Sequence, residues 1–266
     1  MAVLTRARGL LSPEAGWRRL LARFPLPQGR VSRLLFELSL ILPAYLSYHL
    51  VRGAVNGRVD DAFVNASKLI HIEQILGIFW ELPLQRLILN HQLLIDLFNG
   101  IYIWGHIPVI GALAIWIFAF RRDVFARYRN AFLISGAIGL VFFIALPVAP
   151  PRFLGDVGFV DTVTLHDTAY RILQPPALVN QYAALPSLHF GWNLLMGLAV
   201  FETTRSWLAR AFAVFMPTLM LSGIIFTANH YILDAVLGAV VALAALWIAG
   251  QLNRLFVGTR VHAVLV

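Results

Sequence analysis

The sequence predicts an all-α, polytopic membrane protein with six transmembrane helices and further helices at the interface. Three observations carry that prediction. The chain is 59% hydrophobic and only 13% charged, with a mean hydropathy of +0.76, far too apolar for a soluble domain of 266 residues. Apolar runs long enough to cross hydrocarbon recur along it. The arginines fall in short stretches between those runs, so the net charge of +8 reports membrane topology and not an affinity for nucleic acid. Cysteine is absent, which excludes disulfides, thiolate metal sites and cysteine nucleophiles. All the basic residues but Lys68 are arginine, a bias associated with GC-rich bacterial genomes, and a bacterial plasma membrane is the expected location.

Residues 1–33 hold Arg6, Arg8, Arg18, Arg19, Arg23 and Arg30 but no apolar core of signal-peptide length, so no cleavage is expected. Ser12-Pro13-Glu14 reads as a helix start, and Trp17, Leu20, Leu21 and Phe24 recur at helical spacing. This cytoplasmic segment is either a short basic amphipathic helix on anionic lipid or a basic tail without fixed structure. The first span is expected at about Leu34–Val51, in spite of Glu37 and Pro43. Between Asp60 and Asn90, Leu69, Ile72, Leu76 and Phe79 line one face, with Lys68, Glu73, Gln74, Glu81 and Arg86 on the other. That pattern suits an interfacial helix broken near Pro83. Further spans follow at about Leu93–Phe120, Asn130–Pro147, Ser187–Thr204, Arg210–Ala228 and Tyr231–Leu252. The membrane domain thus covers 34–254 with its core at 130–252, and 255–266 form a cytoplasmic tail.

With six spans, 15 of the 21 basic residues fall on the side of the N-terminus, the asymmetry expected if both termini are cytoplasmic. By the same parity His189, His230, Asp234 and the proline-rich loop from Val148 to Pro186 lie at the outer face. Long loops of that kind are functional or disordered. No internal repeat and no soluble second domain are visible.

His230 and Asp234 are four residues apart on an expected helix, so their side chains share a face. A carboxylate there can accept the proton of one imidazole nitrogen, fix the tautomer and leave the other nitrogen as a nucleophile. His189 could protonate a leaving alkoxide and then act as base toward an incoming hydroxyl. Arg152 offers a planar cation for phosphate oxygens, or a head-group anchor. Asn99, Tyr102 and His106 form a polar stripe in the second span, which either touches substrate or bonds between helices. Singly, each histidine reads as a structural hydrogen-bonder; together with Asp234 they point to catalysis, because ionisable groups in spans are costly and usually functional. Two imidazoles and a carboxylate also suit a metal, but no other ligand motif accompanies them, and neither metal nor cofactor is expected. The alternative from another class is a transporter with a proton relay, which should hold such groups near mid-membrane and show inverted repeats. Here they sit at span ends.

Pro186-Ser187-Leu188-His189 and His230-x-x-x-Asp234 resemble the second and third motifs of the type 2 phosphatidic acid phosphatase superfamily, six-span enzymes that pass through a phosphohistidine. The resemblance covers about Pro147 to Gly238. Tyr182-Ala183-Ala184-Leu185-Pro186-Ser187-Leu188-His189 and Asn229-His230-Tyr231-x-x-Asp234-x-x-x-Gly238 are most similar to the branch containing fungal inositol phosphorylceramide synthase. It implies His230 as nucleophile, Asp234 as its orienter, His189 as general acid and base, and Ser187 and Leu188 as phosphate-binding beside Arg152. Tyr182, Asn229 and Tyr231, from the same motifs, join Asn99, Tyr102 and His106 as residues expected to line the substrate. Two cations of the phosphatase pattern are missing: Ala145 stands for a lysine, and Gly223-Ile224 for Ser-Arg. A phosphomonoester dianion needs that charge more than a phosphodiester monoanion does. The expected activity is therefore transfer of a phospho-head group, phosphoinositol on the branch resemblance alone, from a phospholipid donor to a lipid or polyol hydroxyl. A lipid phosphate phosphatase is the alternative.

Overall fold

In the computed structural model residues 29–54, 58–166 and 181–264 are described. The helix expected around Ser12 to Phe24, Arg171 and the Pro175-Pro176 pair lie outside them, as do the side chains of the tail 255–266. The described residues are helical, with no strand beyond an isolated parallel bridge of Val148 with Ala183. In chain order the helices are α1 (Arg30–Ala54), α2 (Val59–Leu76), α3 (Glu81–Ile88), α4 (Gln92–Trp104), α5 (Ile107–Phe120), α6 (Arg122–Ala145), α7 (Thr162–His166), α8 (Leu188–Thr203), α9 (Trp207–Phe226) and α10 (Ile232–Val264). A 3-10 turn, Pro151–Phe153, lies between α6 and α7. The described residues divide into two compact units, 29–44 with 250–264 and the other within 45–249, and the site described below lies in the second.

Three helices are long and apolar enough to cross a membrane, α6, α9 and α10 over Ile232–Arg254, or four spans if the bent pair α4–α5 is one. Six spans are thus not what the described residues show. Two local features account for much of the difference. The expected span at Leu93–Phe120 is two helices meeting at 42°. Helix α4 stops at Gly105, and α5 restarts beside Pro108, which has no N–H to continue a ladder. Helix α8 has 16 residues, about 24 Å at 1.5 Å per residue, against about 30 Å of hydrocarbon. The parity argument for sidedness rested on six spans. Leu93, Ile115, Phe120, Val141 and Trp207 face outward, as on a surface in contact with lipid.

The polar segment also differs from expectation. Its break falls at Gly77, not Pro83. Gly77 adopts φ +70°, and Gly77 N–H and Ile78 N–H donate to Gln74 O and Glu73 O at 3.1 and 2.9 Å, a left-handed cap closing α2. Pro83 sits in the first turn of α3, where a missing N–H costs nothing. Glu73 and Glu81, expected on the polar face of an interfacial helix, are completely buried.

The contact that shapes the centre of this unit is between α8 and α10. A Cβ on Gly191 would sit 2.7 Å from Gly238 O, and one on Gly238 would overlap Ser187 O. The two backbones touch with no side chain between them, and Ser187 N–H donates to Asp234 O at 2.9 Å. Gly238→Ala is expected to force α8 and α10 apart at a cost of about 1–3 kcal/mol. Thermal unfolding in detergent micelles would show it as a lowered transition, and a fall in activity beyond the loss of folded protein would report the separation of His189 from His230.

Candidate active site

The start of α8, the turn between α9 and α10, and the residues after α6 supply the site. Ser187 caps α8, its Oγ accepting from Phe190 N–H at 3.4 Å, which leaves His189 in the first turn. The second histidine sits in a tight turn at the end of α9. Ala228 takes φ +53°, and Asn229 N–H and His230 N–H both donate to Ile224 O, at 2.9 and 3.1 Å. His230 therefore precedes α10 and does not share a helical face with Asp234. Asp234 reaches back instead: its Oδ2 accepts from Tyr231 N–H at 2.9 Å and lies 3.2 Å from His230 Nδ1.

His230 Nδ1 is also 2.8 Å from Ala184 O. A carbonyl oxygen can only accept, so Nδ1 carries the proton and Nε2 presents its lone pair. That lone pair points at His189 Nδ1, 3.2 Å away. The His189 ring stacks on Tyr102 and meets His106 at a tilt, with centroids at 4.8 and 4.2 Å. Asn193 ties the stack to α8, its Nδ2 lying 2.9 Å from His189 O and 3.4 Å from His106 Nδ1. Two imidazoles and a carboxylate thus form a single chain, oriented at both ends.

Arg152 belongs to the same cluster. Its N–H donates to Ala228 O at 2.8 Å, and its guanidinium contacts Asn229 Oδ1, lies 3.6 Å from Asp161 Oδ2 and rests over the Phe153 ring. The turn that shapes His230 therefore holds the cation too. Ile224, in place of the missing arginine, is fully buried. Among the described residues no group of three or more His, Asp or Glu side chains has the spacing of a metal site.

The other expected residues divide. Tyr102 and His106 meet His189. Asn99 is buried and exchanges hydrogen bonds with Thr162, accepting from Thr162 Oγ1 at 3.1 Å and donating to Thr162 O at 3.0 Å. It joins α4 to α7, the interhelical bonding its polar stripe also allowed. Tyr231 has no exposed surface, and its hydroxyl donates to Ala149 O at 3.1 Å. Asn229 is buried, bonding Thr227 Oγ1 and Arg152. Tyr182 accepts from Val148 N–H through its carbonyl while its ring meets Phe63 and Phe153. Ser187 N–H is taken by Asp234 O, whereas Leu188 N–H is in the first turn of α8, which has no intrahelical acceptor. The sequence reading missed Ala184, Asn193, Glu73 and Glu81. The first acts through its backbone, and the others bear no motif of their own.

A family model described as the PAP2 superfamily matches residues 67–248. The chain belongs to the PAP2 superfamily. It is 26% identical over 182 residues to a protein of Bacteroides thetaiotaomicron named phosphoinositol dihydroceramide synthase, a match covering 60% of this chain and 57% of that relative. The chain thus matches little more than half the length of this curated relative. No solved structure matches it. PAP2 membership supports a lipid-modifying enzyme in a membrane.

The tautomer can be tested directly. In ¹⁵N-histidine-labelled protein at neutral pH, the resonances lost in His230→Ala are expected to show a protonated Nδ1 and a bare Nε2. Asp234→Asn should leave this tautomer in place, because Ala184 O still accepts the proton.

Proposed function

We propose that this protein is a membrane lipid phosphotransferase that moves a phospho-head group through a phosphohistidine on His230. The observation that carries the reading is the poised pair: His230 Nε2 deprotonated by two acceptors at Nδ1, and His189 3.2 Å away. In the first half-reaction Nε2 bonds to phosphorus, the phosphorus–oxygen ester bond of the donor breaks, and the departing diacylglycerol-type alkoxide takes its proton from His189. In the second, an acceptor hydroxyl gives its proton to His189 and bonds to phosphorus, and Nε2 leaves with its electron pair. Asp234 offsets the positive charge on the imidazole during both. Arg152 and the N-terminal N–H groups of α8 supply positive potential for the phosphate oxygens.

Transfer is favoured over hydrolysis of a phosphomonoester by the charge inventory. Ala145 and the buried Ile224 put no cation where the phosphatase pattern has two, and a diester carries one negative charge. We take phosphoinositol as the head group because the relative from Bacteroides thetaiotaomicron is named for it. The acceptor is a lipid or polyol hydroxyl. We place the site at the outer face of a bacterial plasma membrane, with both termini inside, on the distribution of arginines.

Purified protein in mixed micelles, given phosphatidylinositol labelled at phosphorus, is expected to pass label to a new lipid or polyol ester. His230→Ala should lower this by roughly 10⁴-fold or more. Label recovered as water-soluble phosphate ester or free phosphate would assign the protein to hydrolysis. Sidedness has a clean test because the chain has no cysteine. In intact cells a membrane-impermeant maleimide should label Asp156→Cys, exposed near the site, and should label Ser206→Cys, exposed between α8 and α9, only after permeabilisation.

A further inference from the structure

Two carboxyl groups outside the site end on the helix that carries Asp234. Glu73 Oε1 accepts from Leu233 N–H at 2.8 Å, and Glu81 Oε1 from Ile232 N–H at 2.6 Å. Both side chains have no exposed surface, although they lie on different helices with a turn between them. Asp234 Oδ2 takes Tyr231 N–H in the same way. Three successive N–H groups at the start of α10, which have no intrahelical acceptor, are thus each held by a carboxyl oxygen. The second oxygen of each glutamate, Oε2, is buried with no hydrogen-bond partner among the described residues, a setting in which a neutral carboxyl costs less than a charged one.

We propose that Glu73 and Glu81 are positioning residues of the phosphotransfer site: a buried carboxyl pair that clamps the N-terminus of α10 and so fixes Asp234 and His230 against His189. This rests on the reading above that His230 is the nucleophile. Without the pair the N–H groups of Ile232 and Leu233 lose their acceptors in a buried setting, and only apolar packing remains between the start of α10 and α2 and α3. Protonation favoured by burial keeps the pair from placing two full charges beside Asp234. The titratable groups facing it from α10 and the turn before it are Asp234 and Tyr231. Burial, and after it the Glu81 carboxyl, push Glu73 up to about 9, and burial raises Glu81 as well. A carboxyl raised in the folded state stays protonated there while the unfolded chain has lost its proton. Stability contributed by this proton is therefore lost as pH rises between the ordinary value of 4.5 and about 9.

Glutamine separates positioning from bulk structure, since its carbonyl can still accept from the helix and its amide can donate to the remaining carboxylate. Glu73→Ala and Glu81→Ala are expected to lower kcat for label transfer by roughly 10–100-fold, per folded molecule, with KM unchanged. Glu73→Gln should restore kcat to within about threefold of the parent and flatten the alkaline fall in the unfolding temperature. A second arm needs no activity: the ¹⁵N resonances of His230 should move in the alanine variants and return in Glu73→Gln. Failure of transfer by the parent protein, with these histidine shifts intact, would overturn the phosphotransfer reading and leave the clamp standing. Alanine variants that lose activity only in proportion to folded protein, or a His230 spectrum unchanged in them, would overturn the clamp.

Discussion

The backbone contact between α8 and α10 is the constraint on which the rest depends. Gly191 and Gly238 let the helices meet without side chains, and Ser187 N–H fastens one start to the other through Asp234 O. Because His189 is two residues beyond Ser187 and His230 four before Asp234, that single approach brings two imidazoles together from opposite ends of a helical hairpin. No side chain reaches far: each histidine lies within one turn of the contact. Precision comes from backbone geometry, the least adjustable part of a protein.

Around that contact the side chains of the site are held by named partners. Ala184 O and Asp234 hold the outer nitrogen of His230, and Tyr102, His106 and Asn193 hold the ring of His189. Arg152 is held by Asn229, Asp161 and Phe153. Such a shell suits chemistry in which charge appears and disappears at one phosphorus, because the surrounding dipoles need little rearrangement. It also accounts for the burial of Asn229 and Tyr231: they build the turn that presents the histidine.

Much of the site was legible because its residues carry chemistry in short motifs. Two histidines, an aspartate and their spacing to the neighbouring proline and glycine suffice to suggest phosphoryl chemistry on a lipid, and the family match over 67–248 supports a lipid phosphotransferase or phosphatase. Spacing alone failed where a helix did not begin where periodicity put it. Four residues separate His230 from Asp234, yet the pair meets across a helix start. Helical membrane character was legible from hydropathy, whereas the number of spans was not, since Gly105 breaks one expected helix and α8 is short. Glu73 and Glu81 looked like a solvated face because local pattern says nothing of what another segment, more than 150 positions along the chain, will need from them.

The loop between α6 and α8 is closed at its base. Val148 N–H donates to Tyr182 O and Ala184 N–H to Val148 O, so the chain leaves and returns at one point, and Ala184 O then accepts from His230 Nδ1. Pinned in this way, the loop belongs to the frame of the site: Arg152 follows the pin on one side and Ala184 lies in it on the other, so a change that opened the base would displace the cation and the acceptor of His230 together.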